Sequence, residues 1–395
     1  MKIAIDAQPI IESQKTGIGF YEYYIITQMM KHWSGNDYIL NYFKFRRPRE
    51  AEAALQIFTE KGGKLNACTW LPRSAYRFLC TLAPVPYSLF FGGKADITLF
   101  FNFIAPPGAA GRNIIVVYDM AYLAFPETVR FRTKTMLDVS LKASVRRAAA
   151  IITISEFSKN EIVKYMGVSP ERIAIAPGGV DTRVFYPVGA ERINKAKKKY
   201  SIPDTYLLYA GTLEPRKNIE RLIEAYAKLV NEEPSAPPLV LAGRKGWLYE
   251  SIFEKVESLG MEKRVIFTGY IDDADMPAIL SGAMIFVFPS LYEGFGMPPL
   301  EAMACGTPTL TSTSASLPEV VGDAAVKADP YNAEDIKDGM KRLINDSALR
   351  GDLSAKGLER AKQFNWERPA RIIMDVCKNL LTDAKGILSA PSQKS

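Results

Sequence analysis

Short apolar, β-prone runs recur from one end of the chain to the other, each followed by residues with helical spacing. In the first half they are Lys2–Asp6, Tyr38–Phe43, Ile97–Phe101, Ile114–Tyr118, Ala149–Ile154 and Ile173–Ala176. In the second half they are Tyr206–Ala210, Leu239–Ala242, Val265–Thr268, Ile285–Phe288 and Thr309–Thr311. Strands that alternate with helices imply parallel sheets covered by helices on both faces. With 395 residues, 48% of them hydrophobic, the chain can bury more than one core. Two doubly wound α/β domains are therefore expected, joined near Tyr186-Pro187. The lysine-rich stretch Glu191–Tyr200 reads as a solvated helix opening the second domain. Ser158-Lys-Asn-Glu161 matches a capping box and predicts a helix start there. Residues 385–395 read as a tail.

In doubly wound sheets, ligands bind beyond the carboxyl ends of the strands. Two segments at such ends carry chemistry. The first is Ser290-Leu-Tyr-Glu-Gly-Phe-Gly-Met-Pro-Pro-Leu-Glu301, which follows a buried strand and runs into a helix ended by Gly306. Pro298 and Pro299 suit a helix start. A strand, a glycine-rich turn and a helix N-terminus together present backbone N–H groups and a positive dipole end to an anion. Gly294 and Gly296 allow close backbone approach. Glu293 projects from the turn and Glu301 from the helix, so the two can grip different parts of one elongated ligand. Carboxylates accept well from sugar and ribose hydroxyls. Taken alone, the segment also fits a plain strand–helix connection, since acidic residues favour helix starts.

The second segment is Gly211-Thr-Leu-Glu-Pro-Arg-Lys-Asn218, between a buried strand and an amphipathic helix from about Ile219 to Val230. Arg216 and Lys217 stand just ahead of that helix, where its dipole disfavours positive charge. An anion bound between them and the helix resolves the conflict. A diphosphate fits, with Arg gripping two oxygens and Lys acting as a mobile point charge. A solvated basic turn is the plainer alternative.

Together these segments resemble the retaining family-4 (RfaG-like, glycosyl transferases group 1) glycosyltransferases of GT-B fold. Other pieces agree in order: Thr16-Gly-Ile-Gly19, Val116-Val-Tyr-Asp119, Phe125-Pro-Glu127, Ser155-Glu-Phe-Ser158, Pro177-Gly-Gly-Val-Asp181 and Leu317-Pro-Glu-Val-Val-Gly322. The resemblance covers roughly residues 1 to 380 and is nearest the bacterial polysaccharide branch with many mannosyltransferases. It implies two Rossmann-like domains facing across a cleft. Residues 1–186 would bind the acceptor and 187–366 the nucleotide sugar. A helix over 367–384, with Trp366 near the crossing, would return to the first domain, and 385–395 would be the tail. It implies catalytic roles for Arg216, Lys217, Glu293, Tyr118 and Asp119. Donor binding would fall to Gly17, Gly19, Gly211, Thr212, Arg244, Tyr270, Gly294, Phe295, Gly296, Met297 and Glu301. The expected reaction moves a hexose of mannose or glucose type from a GDP- or UDP-linked sugar to a glycan or polyprenyl-diphosphate-linked acceptor, with no cofactor and no metal. A nucleotide-sugar epimerase of similar architecture is the alternative, although that chemistry wants more acid/base groups. A non-catalytic nucleotide-sugar-binding scaffold is a third reading.

Composition narrows the rest. Four cysteines without a Cys-x-x-Cys pair, and one histidine, argue against a zinc site or a disulfide framework and fit a reducing cytoplasm. The amino-terminal residues read as a strand rather than a signal peptide. The best apolar run, Phe78–Phe91, is interrupted by Pro84 and Pro86. It falls short of the roughly 18 residues that a spanning helix needs. Residues 1–185 carry a net charge of +8 and residues 186–395 a net of −1. That asymmetry points to an acidic surface or partner for the first half. Phe43-Lys-Phe-Arg-Arg-Pro-Arg49 and Trp70-Leu-Pro-Arg-Ser-Ala-Tyr-Arg-Phe-Leu79 mix aromatic and basic residues. They read as an amphipathic surface with snorkelling arginines, or as a patch that docks on anionic lipid. No nucleic-acid reading module accompanies the charge. Asp273-Ala-Asp275 mimics a metal motif but is more simply read as a helix cap. Gly17-Ile-Gly19 lacks the third glycine of a dinucleotide fingerprint.

One departure from the family stands out. Where many relatives carry a histidine, this chain has Tyr118 before Asp119, and its single histidine is His32 in Lys31-His32-Trp33. Tyr118 can donate a hydrogen bond but is a poor base, with a reference pKa of about 10. In a retaining, front-face transfer the leaving diphosphate itself takes the acceptor proton. The enzyme then needs charge stabilisation and positioning.

Overall fold

A computed structural model describes residues 1–12, 16–45, 48–129 and 131–382. The tail 385–395 and the basic pair Arg46 and Arg47 lie outside the described residues. The chain forms two compact units. Among the described residues, one comprises 1–123, 131–178 and 366–382; the other comprises 124–129 and 179–365.

The first unit is built on seven strands: β1 (Lys2–Asp6), β2 (Asp37–Phe43), β3 (Lys64–Cys68), β4 (Ile97–Phe100), β5 (Arg112–Val116), β6 (Ala150–Thr153) and β7 (Ile173–Ile175). Their order is β3-β2-β1-β4-β5-β6-β7 and every pairing is parallel. The second unit has six: β8 (Leu207–Ala210), β9 (Leu239–Ala242), β10 (Val265–Gly269), β11 (Ile285–Phe288), β12 (Thr309–Ser312) and β13 (Ala325–Ala328). They run in the order β10-β9-β8-β11-β12-β13, again all parallel. In each sheet the order reverses beside the first strand, which is the Rossmann-like doubly wound pattern. Solidly buried strands such as β4, β8, β9 and β11 read as continuous apolar runs because helices cover both faces.

Strands β3 and β13 escape the sequence reading. Lys64-Leu-Asn-Ala-Cys68 and Ala325-Val-Lys-Ala328 are partly exposed edge strands with few β-branched residues. Two cap assignments also change. The helix Glu156–Met166 is capped by Ser155, whose hydroxyl accepts from the Ser158 N–H at 3.0 Å. Ser158 thus lies inside the helix, and its own hydroxyl donates to the Tyr118 carbonyl at 2.8 Å. Asp275 precedes the helix Met276–Gly282 but makes no side-chain cap. Its carboxylate instead accepts from Lys199 at 2.6 Å and from the Tyr200 hydroxyl at 2.9 Å.

Two further helices frame the first unit. Gly17–His32 buries Tyr21, Glu22, Ile25, Ile26, Met29 and Met30. Glu367–Thr382 buries Ile373, Met374 and Cys377 and packs on that first helix. Trp366, at the start of this return, stacks on Tyr24 with ring centroids 4.8 Å apart. Nearby, His32 lies 3.8 Å from Glu367.

Candidate active site

Beyond the carboxyl ends of β8 and β9, two loops run side by side. The Gly211 N–H donates to the Ala242 carbonyl at 2.9 Å and the Leu213 N–H to the Arg244 carbonyl at 2.8 Å. This approach requires glycine at 243, where a Cβ would lie 1.8 Å from the Gly211 carbonyl oxygen. Thr212 is exposed at the tip of the first loop and Arg244 is half-buried on the second.

Past Thr212 the chain makes a 3-10 turn, Pro215–Lys217, and Asn218 enters the helix Ile219–Glu232 with φ 61°. Asparagine tolerates that left-handed backbone, and the surroundings hold it. Its buried amide donates to the carbonyls of Pro289 at 3.0 Å and Pro330 at 2.6 Å. This anchorage brings Arg216 and Lys217 against the turn after β11. Lys217 Nζ donates to Glu293 Oε1 at 2.6 Å, and Arg216 donates to Glu293 Oε2 at 3.2 Å. Arg216 also bonds Glu214 at 2.9 Å and the Tyr292 carbonyl at 2.7 Å. The cations are thus already compensated by Glu293 and Glu214. Glu293 does not project: it is 7% exposed and lies between them. Burial pushes its carboxyl up, but the charges of Lys217 and Arg216 outweigh burial and hold it below the usual carboxylate range.

The Gly-rich turn is shaped from beneath. Ser316, fully buried, donates to the carbonyls of Glu293 at 2.9 Å and Phe295 at 2.8 Å. Phe295 turns inward, 4% exposed, with its ring edge-on to Phe364. Gly296 has φ 113°, and a Cβ there would lie 2.5 Å from Leu317. The helix then begins at Met297. Pro298 and Pro299 lack N–H groups, so this N-terminus offers fewer donors to an anion than the turn–helix pattern alone suggests. Gly294 is buried within the turn and Met297 is partly exposed.

A second cluster forms one helix turn on. Glu301 is partly buried and, among the described residues, its carboxylate makes no side-chain hydrogen bond or ion pair. Burial, and then the charge of Asp273, push it up to about 7. Asp273 accepts from the Tyr270 hydroxyl at 2.6 Å, and the Arg244 guanidinium lies 4.0 Å from the centre of the Tyr270 ring. Tyr270 is 44% exposed. Arg244, Tyr270, Asp273 and Glu301 therefore form one polar, aromatic-floored set.

The remaining predicted residues lie in the first unit. Gly17 is exposed at the helix start and Gly19 is buried in its first turn. Asp119 caps the short helix Ala121–Ala124 by accepting from the Ala121 N–H at 3.0 Å. Tyr118 is buried, and among the described residues its hydroxyl has no hydrogen-bond partner. Burial, reinforced by Tyr21 and Glu22, pushes its phenol well above the ordinary value, which removes it as a base. Glu214, Asn218 and Ser316 are the structural partners that sequence reasoning left without roles. The first two sit inside the recognised Gly211–Asn218 motif, but only the tertiary contacts reveal what they hold.

Known proteins share this architecture. The model for "Glycosyl transferases group 1" matches residues 192–360, and that for "Glycosyltransferase Family 4" matches residues 48–184. The O-antigen chain mannosyltransferase B of Escherichia coli is 36% identical over 261 residues, spanning 66% of this chain and 68% of that protein. The chain belongs to the family-4 glycosyltransferases. The serotype-specific mannosyltransferase WbdA of Escherichia coli is 37% identical over 246 residues, covering 62% of this chain but only 30% of that larger protein. The Anabaena protein HepE, solved in complex with UDP and glucose, superposes with a TM-score of 0.73 at 19% identity, over 96% of this chain and 100% of its own. Such a likeness reports the GT-B fold. For a family-4 glycosyltransferase, a histidine-free position at Tyr118 and a compensated cation pair at Arg216 and Lys217 are the features that any mechanism must accommodate.

Proposed function

We propose that this enzyme transfers a hexose, of mannose or glucose type, from a GDP- or UDP-linked donor to a glycan or lipid-linked acceptor during bacterial cell-surface polysaccharide synthesis. One observation carries the donor assignment: Arg216 and Lys217 are gathered on a single buried carboxylate at the carboxyl edge of the second sheet. A diphosphate presents the same geometry of paired anionic oxygens and would take over these donors, at least in part, from Glu293. Glu293, so displaced, would accept from sugar hydroxyls. Glu301 would accept from ribose hydroxyls, with Tyr270 and Arg244 flanking the nucleoside. The mannosyltransferase names of the two Escherichia coli relatives favour a mannosyl donor.

The reaction would proceed with retention. The sugar–diphosphate bond breaks, the acceptor oxygen bonds the anomeric carbon on the same face, and the acceptor proton passes to the departing diphosphate. Arg216 and Lys217 stabilise the growing charge on that diphosphate. Each well-placed donor is worth about 3 kcal/mol of barrier by comparison with oxyanion-hole deletions. No metal is required for this step. Tyr118 does not act as the base.

Incubation with a panel of nucleotide sugars tests the reading through release of free GDP or UDP. Arg216→Ala and Lys217→Ala should each lower turnover at least about a hundredfold with the fold intact. Near-wild-type rates in either variant would reject the diphosphate assignment. Turnover should persist in EDTA; loss that magnesium or manganese restores would reject the metal-free mechanism.

The enzyme would reach a lipid-linked acceptor by docking on anionic lipid. No helix among the described residues is long and apolar enough to cross a membrane. Phe45, Trp70, Phe78 and Leu89 are exposed to 44%, 67%, 64% and 69%. They lie within the amino-terminal half, which carries the chain's whole net positive charge, +8 over residues 1–185, and Trp70 stacks on Phe90 at 5.2 Å. Each nearby Lys or Arg adds about 1 kcal/mol of attraction, screened over about 8 Å at physiological salt. Binding to phosphatidylserine vesicles should weaken as salt rises and fall further on charge reversal at Arg46, Arg47 and Arg77; Arg73 is left intact because it is paired with Asp6 and Glu12. Indifference to such vesicles at low salt would reject docking.

A further inference from the structure

In the first unit, one helix carries a side chain that the proposed donor chemistry leaves unused. Glu22 lies in the middle of the helix Gly17–His32, fully buried, and among the described residues neither carboxyl oxygen has a hydrogen-bond partner. A buried carboxyl without partners is costly, and proteins rarely keep one without a use. Its surroundings are polar. Asp6, at the carboxyl end of β1, and Glu12 both act on it electrostatically, as does Arg73 with the opposite sign. Arg73 is engaged with those same carboxylates, 3.8 Å from Asp6 and 3.6 Å from Glu12, so it does not neutralise Glu22 by direct contact.

Two unpartnered donors accompany this acceptor. Among the described residues, the Tyr118 hydroxyl, just beyond β5, is buried without a partner, and so is the Trp366 indole N–H. Both rings lie edge-on to Tyr21, the residue preceding Glu22, at 5.4 Å and 5.7 Å. Tyr21 itself is satisfied, its hydroxyl donating to the Ala176 carbonyl at 2.7 Å. The unsatisfied set is therefore mixed: a carboxyl that accepts, and a phenol and an indole that donate. An anion would meet Glu22, Asp6 and Glu12. A cation would find no use for the two donors. A neutral hydroxyl donates to a carboxyl and accepts from a phenol, so it matches both. The position, beyond the carboxyl ends of β1 and β5, is where a doubly wound sheet receives its ligand.

We infer that Glu22 and Tyr118 form a hydroxyl-recognising subsite for the acceptor sugar, Glu22 accepting from one acceptor hydroxyl and Tyr118 donating to it. The inference rests on the transferase reading above. It makes Glu22 a specificity-determining residue and gives Tyr118 a binding role where histidine is lost. These oxygens are closed off from solvent here, so an acceptor hydroxyl reaches them only when neighbouring side chains move aside.

The test uses the full-length enzyme, its nucleotide-sugar donor from the panel, and octyl α-D-mannopyranoside as acceptor. Glu22→Leu removes the carboxyl at similar volume and should raise the acceptor KM about ten- to a hundredfold, the loss of one buried substrate hydrogen bond. The nucleotide Kd, read by calorimetry, should stay unchanged, and the melting temperature should not fall. Glu22→Gln keeps an acceptor oxygen and should restore the KM to within about threefold of wild type, since one neutral hydrogen bond survives. Tyr118→Phe should raise the acceptor KM in the same direction, and it decides the matter if Glu22→Leu does not fold. A wild-type acceptor KM in Glu22→Leu, or in Tyr118→Phe, overturns the subsite. So does a wild-type enzyme that releases nucleotide from its donor yet neither glycosylates the octyl mannoside nor binds it by saturation-transfer NMR. An enzyme that turns over no nucleotide sugar overturns the transferase reading instead.

Discussion

Glu293→Gln should destabilise the second unit and make it depend on nucleotide. In the folded protein Glu293 is the shared counter-ion of Lys217, at 2.6 Å, and Arg216, at 3.2 Å, with only 7% of its surface exposed. The amide keeps the volume and one acceptor oxygen but removes the charge. Arg216 retains Glu214 at 2.9 Å and the Tyr292 carbonyl at 2.7 Å. Lys217 retains the face of Phe288 at 5.1 Å, a weak substitute. Removing one partner from a buried ion pair costs about 3–5 kcal/mol, and the contacts left to Arg216 place this case near about 3 kcal/mol. For a unit of this size each kcal/mol moves the melting temperature by about 2–4 °C, so its transition should drop by about 6–12 °C. Saturating GDP or UDP should recover much of that drop, because a diphosphate supplies the missing charge. At a hundred times Kd, binding alone adds about 2.7 kcal/mol. Scanning calorimetry with and without nucleotide reads both effects. Lys217→Met is the control: it leaves no orphan cation, costs less stability, and loses the nucleotide response. The reasoning is refuted if Glu293→Gln melts within about 2 °C of wild type, below one kcal/mol, or if nucleotide stabilises it less than it stabilises wild type.

Glu301 should carry a pH signature. Its folded carboxyl stands at about 7 against 4.5 for the free group, so the folded state keeps a proton that the unfolded state has lost. Stability is therefore eroded as pH rises from about 4.5 to 7, reaching a penalty of about 3 kcal/mol above that window; Glu301→Gln should melt well above wild type at pH 8 and close to it at pH 5, and a pH-independent difference would contradict the assignment. Gly243→Ala should force apart the loops after β8 and β9, since its Cβ would lie 1.8 Å from the Gly211 carbonyl oxygen, and should weaken nucleotide binding at least about tenfold by displacing Thr212 and Arg244; unchanged calorimetric affinity would refute this. Ser155→Ala should cost about 1 kcal/mol through loss of the cap on Glu156–Met166, seen as a lower chemical-denaturation midpoint for the first unit, and an unchanged midpoint would contradict the cap.

The strand–helix alternation was written in local patterns. Buried parallel strands such as Leu207–Ala210 and Ile285–Phe288 are apolar on both faces, so composition alone marks them. The motif segments were legible for a related reason: a glycine-rich turn between such a strand and a helix has few other uses. The edge strands β3 and β13 were not legible, because a half-exposed edge needs no continuous apolar run. Ser155 against Ser158 was undecidable locally, since both precede helix-compatible residues and the strand end chooses between them.

Charge partnership belonged to tertiary structure. Arg216 and Lys217 looked like cations waiting for an anion, because their counter-ion Glu293 is 77 and 76 residues away in sequence. Tyr118 read as a hydrogen-bond donor and a poor base, and only packing against Tyr21 and Phe103 makes it a buried phenol. Nothing in the local sequence singled out Glu22, and only burial in the folded unit removes its water. Sequence by itself determined the class of fold and the family of chemistry, because periodicity and short motifs are properties of neighbours in the chain. Which carboxylate meets which cation, and which polar atom is left unpaired, was decided by the sheets, because long-range contacts set the local dielectric and the available partners.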